Sequence, residues 1–188
     1  QAGGSSSFDK GTSITSLSDG ASIVTGFFNG SATFGDTTLK STGAYSNAFI
    51  AKLNADGSYA SATKAGGAIS DVGYGITSLS DGSYIVTGVF FNTATFGDTT
   101  LTSAGSTDVF IAKLNADGSY AWATKAGGSS SDYGYGITSL SDGSSIVTGY
   151  FEGTASFGST NLTSAGEYDA FIAKLNADGS YAWATKAG

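Results

Sequence analysis

Five residue types are missing from this sequence: its 188 residues include no Cys, Met, His or Pro, and all eight basic residues are Lys, so Arg is missing too. Without Cys and His, the chain cannot form disulfide bridges, thiolate or imidazole metal sites, or histidine acid–base centres. The lack of Arg removes the usual bidentate donor to phosphate, and a net charge of −7 repels phosphate backbones. We therefore expect no nucleic-acid partner.

Long apolar runs are also missing. No stretch approaches the ~18 apolar residues that a membrane helix needs, so we expect no membrane insertion. A hydrophobic content of 40% nevertheless excludes a disordered chain. Because the chain begins with Gln1 and has no Met, we expect a processed chain or part of a longer one. Its richness in Gly, Ser, Thr and Ala favours a secreted or cell-surface protein, and an intracellular fragment is the alternative.

Internal repetition is the strongest signal in the sequence. The run FIAKLNADGSYAWATKAG occupies residues 171–188, recurs at 110–127, and recurs with one change at 49–66. Self-alignment gives repeat units at 2–64, 65–125 and 126–186 within one repeat domain, 1–188. Such a period is typical of modules that bury their faces against their neighbours.

Each unit has the pattern of short strands. In the third unit the runs YGITSL, SIVTGYF, AFIAKL and SYAWATK are rich in β-branched and aromatic residues. The turns Ser141-Asp142-Gly143 and Asn176-Ala177-Asp178-Gly179 suit hairpins, because Asx side chains and Gly accommodate tight turns. The pattern predicts a four-stranded antiparallel meander, with an extra short hairpin within residues 152–166.

The predicted strands are apolar on both faces. Tyr181 and Trp183 point to one side of the last strand, while Ala182 and Ala184 point to the other. Large residues on one face and small ones on the other suit the face-to-face stacking of propeller blades. We therefore predict an all-β, β-propeller-like array of three four-stranded antiparallel blades, open unless another chain or further repeats complete it.

Several residues recur at matching positions of the units. They are Gly75, Gly136, Thr87-Gly88, Thr148-Gly149, Phe110 and Phe171. Through these residues the chain resembles the bacterial SBBP β-propeller repeat over essentially its whole length. This resemblance implies a β-propeller of the kind found in large exported and surface proteins. It implies no reaction, cofactor or catalytic residue.

The repeated aspartates have two interpretations. They are Asp19, Asp81 and Asp142 in one turn, and Asp56, Asp117 and Asp178 in the other. Calcium binding would need six to eight oxygen ligands, and these turns lack the further acidic ligands of a calcium loop. We interpret them as hairpin residues and predict no metal site.

A few other residues are candidate sites. Trp122 and Trp183 either pack between blades or stack on sugar rings, so they are weak ligand-binding candidates. Asn29 and Asn161 lie in Asn-x-Ser/Thr sequons and are possible glycosylation sites. Glu152 and Glu167 each occur once at their repeat position, and nothing pairs them as the two carboxylates of a glycosidase. We predict no catalytic residue and no enzyme activity.

The architecture suggests a function. Propellers close with four or more blades, so three blades leave two open faces. A head-to-tail contact between copies would give a ring, for example six blades from two chains, or a filament. We expect a non-enzymatic extracellular structural protein that self-assembles; further repeats of a longer chain would serve equally. The alternative is a cell-surface binding module for carbohydrate or adhesion.

Overall fold

The structure is a computed structural model that describes residues 2–4 and 8–188. Its strands, in chain order, are β1 (Ala2–Gly3), β2 (Lys10–Ser16), β3 (Ser22–Phe28), β4 (Ser31–Phe34), β5 (Thr37–Lys40), β6 (Asn47–Leu53), β7 (Tyr59–Ala65), β8 (Val72–Ser78), β9 (Tyr84–Phe96), β10 (Thr99–Leu114), β11 (Tyr120–Gly128), β12 (Tyr133–Ser139), β13 (Ser145–Phe157), β14 (Thr160–Leu175) and β15 (Tyr181–Ala187). This part of the chain contains no helix, and hence none that could span a membrane.

The strands form three antiparallel meanders, as the repeat predicted. Blade 1 comprises β2, β3, β6 and β7; blade 2 comprises β8 to β11; blade 3 comprises β12 to β15. Each blade places its strands side by side in chain order, because the connections are tight turns that return the chain to the neighbouring strand.

The extra hairpin predicted within residues 152–166 is confirmed, and it extends the two middle strands. β13 and β14 stay paired out to Phe157 and Thr160, and β9 and β10 do the same in blade 2. In blade 1 this hairpin is separate and consists of β4 and β5. The turn uses Gly158, whose φ of 62° lies in the left-handed region that glycine adopts at little cost.

Successive units are tied together by strand pairing. Gly127 and Gly128, at the end of β11, pair with Ser156 and Ala155 of β13, which joins blades 2 and 3 in one eight-stranded sheet. Gly66 forms the equivalent bridge to Thr95. The last strand of one unit therefore crosses the repeat boundary and adds to the hairpin of the next.

The blades also stack face to face. The side of blade 1 that carries Ile23 and Ile50 packs against Val86 and Phe110 of blade 2, and the same positions one unit later pack blade 2 against blade 3. Within blade 2, Phe96 contacts Phe110 and Phe90, with ring centroids 4.9 and 6.4 Å apart. Aromatic pairs at these distances add stability beyond their buried area.

The first strands of the blades lie side by side. The Ser78 hydroxyl of β8 donates to the Ser16 carbonyl oxygen of β2 at 2.9 Å, and the Ser139 hydroxyl of β12 donates to the Ser78 carbonyl oxygen at 2.7 Å. The same hydrogen bond between first strands is therefore found at both blade junctions, as in blades arranged around their inner strands. The chain is an all-β, open, β-propeller-like array of three blades.

Candidate functional site

The array ends in two exposed faces, and both resemble surfaces that are buried inside it. We call the side of blade 3 turned away from blade 2 the tail face; it carries Ile146, Thr148, Tyr150, Ala170, Ile172 and Trp183. The equivalent residues of blade 2 include Ile85, Thr87, Val89, Val109 and Ile111, all at most 2% exposed because blade 3 covers them. The tail face therefore leaves open a surface that is core elsewhere.

The opposite end exposes the complementary surface. We call the side of blade 1 turned away from blade 2 the head face; it carries Gly11, Ile14 and Val24. Ile14 is 65% exposed, whereas Ile76, at the same position in blade 2, is 6% exposed. Gly11, Ile14 and Val24 also line a shallow surface groove. The head face thus presents a small-residue, aliphatic surface to solvent.

Glycine lets neighbouring blades approach closely. A side-chain carbon added at Gly73 would lie 2.2 Å from Thr25 Oγ1, and one added at Gly134 would lie 2.5 Å from Thr87 Oγ1. At Gly11, the same position in blade 1, the nearest atom is Val24 Cγ1 at 3.6 Å. Of these three equivalent glycines, the two that face a preceding blade, Gly73 and Gly134, lack room for a side chain, whereas Gly11 has it.

A tyrosine cluster extends from the inner strands onto the tail face. Its members are Tyr74, Tyr133, Tyr135, Tyr150 and Tyr168. The rings of Tyr133 and Tyr150 are stacked with centroids 4.9 Å apart, and Tyr168 meets Tyr150 edge-on at 5.1 Å. Tyr135 lies 5.1 Å from Tyr74, between blades 2 and 3. The rings are partly open to solvent: Tyr135 is 46% exposed and Tyr168 is 56% exposed.

Two hydroxyls of the cluster, those of Tyr74 and Tyr150, keep their protons at neutral pH. Desolvation, followed by the proximity of Tyr135 and Tyr133, raises the pKa of both Tyr74 and Tyr150 above the ordinary value. The cluster therefore offers flat apolar rings together with the neutral O–H groups of Tyr74 and Tyr150, a combination that suits contact with a partner that is both apolar and hydroxylated.

The sequence contained a signal for this cluster, but sequence reasoning did not use it. Units 2 and 3 are identical at most positions, yet Val72, Val89 and Thr107 of unit 2 are replaced by Tyr133, Tyr150 and Tyr168 in unit 3. The third unit thus gains tyrosine at three positions that the fold gathers on one surface. Comparing the units position by position would have marked them.

The two tryptophans occupy equivalent positions in different surroundings. The Trp122 Nε1–H group donates to the Ala177 carbonyl oxygen of blade 3 at 3.2 Å, and its ring lies against Gly179 in the same turn. Trp183 lies on the tail face and is 42% exposed. Trp122 is therefore a contact between blades, while Trp183 presents its ring to solvent.

The two sequon asparagines also differ. Asn161 is exposed near the tip of the β13–β14 hairpin, where its Oδ1 accepts a hydrogen bond from the Ser156 hydroxyl. Asn29 is half-buried, and its Nδ2 donates to the Ala44 carbonyl oxygen at 3.0 Å. Asn161 is the more accessible side chain for attachment of a glycan.

The repeated aspartates close hairpin turns. The Ser119 N–H group donates to Asp117 Oδ1 at 2.9 Å, and the equivalent bond occurs at Asp142 and Ser144. The hydroxyl and N–H groups of Ser144 lower the pKa of Asp142 to about 2. Within residues 2–4 and 8–188, no three acidic side chains are grouped so that they could hold a metal ion.

Comparison with known proteins supports the fold. A family model described as a domain of unknown function (DUF5122) beta-propeller matches residues 79–119, which span β9 and β10 of blade 2. The match supports a relation to β-propeller families, while the SBBP repeat type stays a prediction. A search of curated proteins finds no match to the chain.

Proposed function

We propose that this chain is a non-enzymatic, extracellular or cell-surface scaffold of SBBP-type repeats that assembles by stacking its tail face on the head face of another copy. The observation that carries the proposal is that the two exposed faces are the two halves of the contact that already joins the blades within the chain. Repeated use of one such contact generates a ring or a filament.

The tail face supplies the larger half. Ile146, Ile172, Ala170 and Trp183 are solvent-accessible there, whereas Ile85, Ile111 and Val109 of blade 2 are buried beneath blade 3. Covering apolar surface of this kind stabilises a contact by about 25 cal/mol per Å². Such surface is normally covered by a partner.

The head face supplies the matching half. Thr87 and Val109 of blade 2 lie directly over Gly134 of blade 3. Thr148 and Ala170 hold the same positions on the tail face, and Gly11 holds the position of Gly134 on the head face. A second copy can therefore seat as blade 2 seats on blade 3.

Strand exchange would accompany this contact. Ala2 and Gly3 pair with Phe34 and Thr33 of β4. At the next two junctions that place is filled by the residues at the end of the preceding blade's last strand, through Gly66 and Gly127. An incoming Ala187-Gly188 would take it by displacing Ala2 and Gly3, so we expect assembly to be slow.

The assembly state of the purified chain tests the proposal. The chain is measured by mass photometry and negative-stain imaging, beside Gly11→Val and the control Thr38→Val. We expect discrete rings or filaments from the parent chain and from Thr38→Val, because Thr38 and the equivalent Thr100 and Asn161 are exposed in every blade. Gly11→Val should stay monomeric with an unchanged free energy of unfolding, since its side chain fills the space that Thr148 needs.

Two results would contradict self-assembly. One is a parent chain that remains monomeric at all concentrations. The other is a Gly11→Val chain that assembles like the parent, because a contact of the kind seen between blades has no room for that side chain.

The second candidate is binding of carbohydrate by the tail face. It is favoured by the tyrosine cluster together with the exposed ring of Trp183. Aromatic faces stack on the apolar side of sugar rings, while the phenol O–H groups donate to and accept from sugar hydroxyls. The two functions use overlapping surfaces, so a bound glycan would compete with assembly.

A further inference from the structure

Each junction between blades buries an aspartate. At the junction of blades 1 and 2, Asp71 Oδ2 accepts the Gly67 N–H group at 2.7 Å, and Asp71 Oδ1 accepts the Phe91 N–H group at 3.3 Å. Asn47 of blade 1 completes the set, because its Nδ2 donates to Asp71 Oδ2 at 3.1 Å. This junction therefore surrounds its carboxylate with N–H donors.

The junction of blades 2 and 3 has the same frame with one exchange. Asp132 accepts the Gly128 N–H group at 2.7 Å and the Glu152 N–H group at 3.3 Å. Asp108, however, occupies the position of Asn47. A second carboxyl group therefore stands where the first junction has an amide donor.

The orientation of the Asp108 carboxyl group is fixed by the hydrogen bonds that its Oδ2 atom accepts. Asp108 Oδ2 accepts the Ala104 N–H group at 3.0 Å, as Asn47 Oδ1 accepts the Thr42 N–H group, and it also accepts Lys125 Nζ at 2.9 Å. Asp108 Oδ1 consequently takes the place of Asn47 Nδ2. It is fully buried and has no hydrogen-bond partner among the residues that the structure describes.

The two carboxyl groups converge on one point. A side-chain carbon added at Gly127 would lie 2.7 Å from Asp108 Oδ1 and 2.8 Å from Asp132 Oδ2. At the first junction, Asn47 Nδ2 meets Asp71 Oδ2 and also the Gly67 carbonyl oxygen at 2.9 Å. At the second junction, Asp108 Oδ1 is therefore an acceptor in the place that the Asn47 donor fills at the first junction. Burying an acceptor without a hydrogen bond is costly.

We propose that Asp108 Oδ1 and Asp132 Oδ2 share one proton, which supplies the hydrogen bond that Asn47 supplies at the first junction and makes the contact between blades 2 and 3 sensitive to pH. The proton enters from water in mild acid and returns to water as pH rises. Its loss leaves two buried carboxylates facing each other, which weakens the junction.

The charged groups around the pair set the pH range. They are Asp108 on β10, Lys125 on β11 and Glu152 on β13. Burial raises the pKa of Asp132 to about 6; the N–H groups of Gly128 and Glu152 oppose the rise, and the negative charges of Asp108 and Glu152 add to it. Because this folded-state pKa lies above that of an unfolded aspartate, about 3.9, the stabilisation is complete below the unfolded pKa, declines as pH rises between the two values, and is lost above about 6.

The same pair would form between copies, an extension that rests on the proposed head-to-tail assembly. Asp169 on blade 3 has the environment of Asp108: its Oδ2 accepts the Ala165 N–H group at 2.9 Å and Lys186 Nζ at 2.7 Å. Asp9 on blade 1 has the environment of Asp132, since it accepts the Gly4 and Asn29 N–H groups. Stacking would oppose Asp169 and Asp9, so assembly should be favoured in mild acid.

The test gives each junction the residue that the other junction has at the position of Asn47 and Asp108. Asp108→Asn gives the second junction the donor of the first, and Asn47→Asp gives the first junction the carboxyl pair of the second. The free energy of unfolding is measured in urea from pH 5 to 8, under conditions in which the chains are monomeric. A folded-state pKa of about 6 for Asp132, against about 3.9 for an unfolded aspartate, contributes a fall of about tenfold in the folded-to-unfolded ratio over this range.

The expected result is a flatter pH profile for Asp108→Asn and a steeper one for Asn47→Asp, because the negative charge of Asp108 raises the pKa of Asp132, whereas an amide donor at that position lowers the pKa of the aspartate it faces, as Asn47 does for Asp71. Burial nevertheless raises the pKa of Asp71 to about 7, so the parent and Asp108→Asn are compared with each other, and the titration of Asp71 cancels in their difference. Carboxyl ¹³C NMR of aspartate-labelled protein should show one protonated carboxyl at this junction at pH 5. An Asp108→Asn profile as steep as the parent's, or two ionised carboxyls at pH 5, would overturn the proposal.

A separate measurement tests whether the carboxyl pair also forms between copies of the chain. Asp169→Asn should remove the pH dependence of assembly and leave the profile of the monomer unchanged. If Asp108→Asn behaves as expected but no assembly forms at any pH, the shared proton stands and the head-to-tail function fails.

Discussion

Adding one methyl group at Gly134 should show how much the close packing between blades 2 and 3 contributes to the free energy of unfolding. In Gly134→Ala the new carbon would lie 2.5 Å from Thr87 Oγ1 and 2.6 Å from Val109 Cγ1, so blades 2 and 3 must move apart or both side chains must shift. Overpacking of this kind costs about 1–3 kcal/mol. Moving Thr87 also endangers its 2.9 Å hydrogen bond to the Phe110 carbonyl oxygen, worth about 1 kcal/mol.

The opposing effects are smaller. Gly134 is not among the glycines with positive φ, so alanine adds no backbone strain, and the loss of glycine flexibility in the unfolded chain returns about 0.4–1 kcal/mol. We therefore expect a net loss of about 1–3 kcal/mol. The matched control is Gly11→Ala, at the same repeat position on the head face. Its nearest neighbour, Val24 Cγ1, would lie at 3.6 Å, so its stability should be unchanged or slightly raised.

Urea unfolding followed by tryptophan fluorescence measures both variants. Trp122 lies at the contact between blades 2 and 3, so its emission reports that junction directly. Equal free energies of unfolding for Gly134→Ala and Gly11→Ala would refute the argument, because the two glycines hold the same repeat position and a preceding blade lies over Gly134 alone of the two.

Two further pairs of substitutions complete the set. Trp122→Ala should lower the free energy of unfolding by about 2 kcal/mol, less than the loss of a fully buried tryptophan, because the half-buried ring of Trp122 packs on the Ala177–Gly179 turn. Trp183→Ala should cost under about 1 kcal/mol in the monomer. Urea unfolding measures both variants, and equal costs would show that the contact of Trp122 with blade 3 contributes little. Tyr150→Val, which restores the residue found in unit 2, should abolish any glycan-array signal if the tyrosine cluster binds carbohydrate, with Tyr59→Val as a control outside the cluster. A signal that survives Tyr150→Val would place carbohydrate binding elsewhere.

Some features of the candidate site followed from local sequence. The turn aspartates could be assigned because an Asx side chain bonds to the backbone two residues later, and Asp117 with Ser119 shows that geometry. The role of Trp122 and Trp183 could not be assigned, because it depends on whether a further blade lies over the same position. Local pattern contains no information about that cover.

The junction carboxylates lay beyond sequence reasoning. Asp108 and Asp132 are far apart along the chain, and each has an ordinary strand or turn context. Their shared environment arises only when β10 of one blade meets the segment before β12 of the next. The effect of having Asp108 where blade 1 has Asn47 can be inferred only from the structure, which places each of these residues opposite a buried aspartate.

The sequence by itself determined the all-β class, the three repeat units, the four-stranded blades and their hairpin turns. These depend on alternation, glycine placement and internal repetition, which are local or periodic properties of the chain. Only the tertiary structure decided which equivalent residues are buried, which of two identical glycines has no room for a side chain, and which carboxyl groups meet. Those outcomes depend on the neighbour that each blade has, and two faces of this array have no neighbouring blade among residues 2–4 and 8–188.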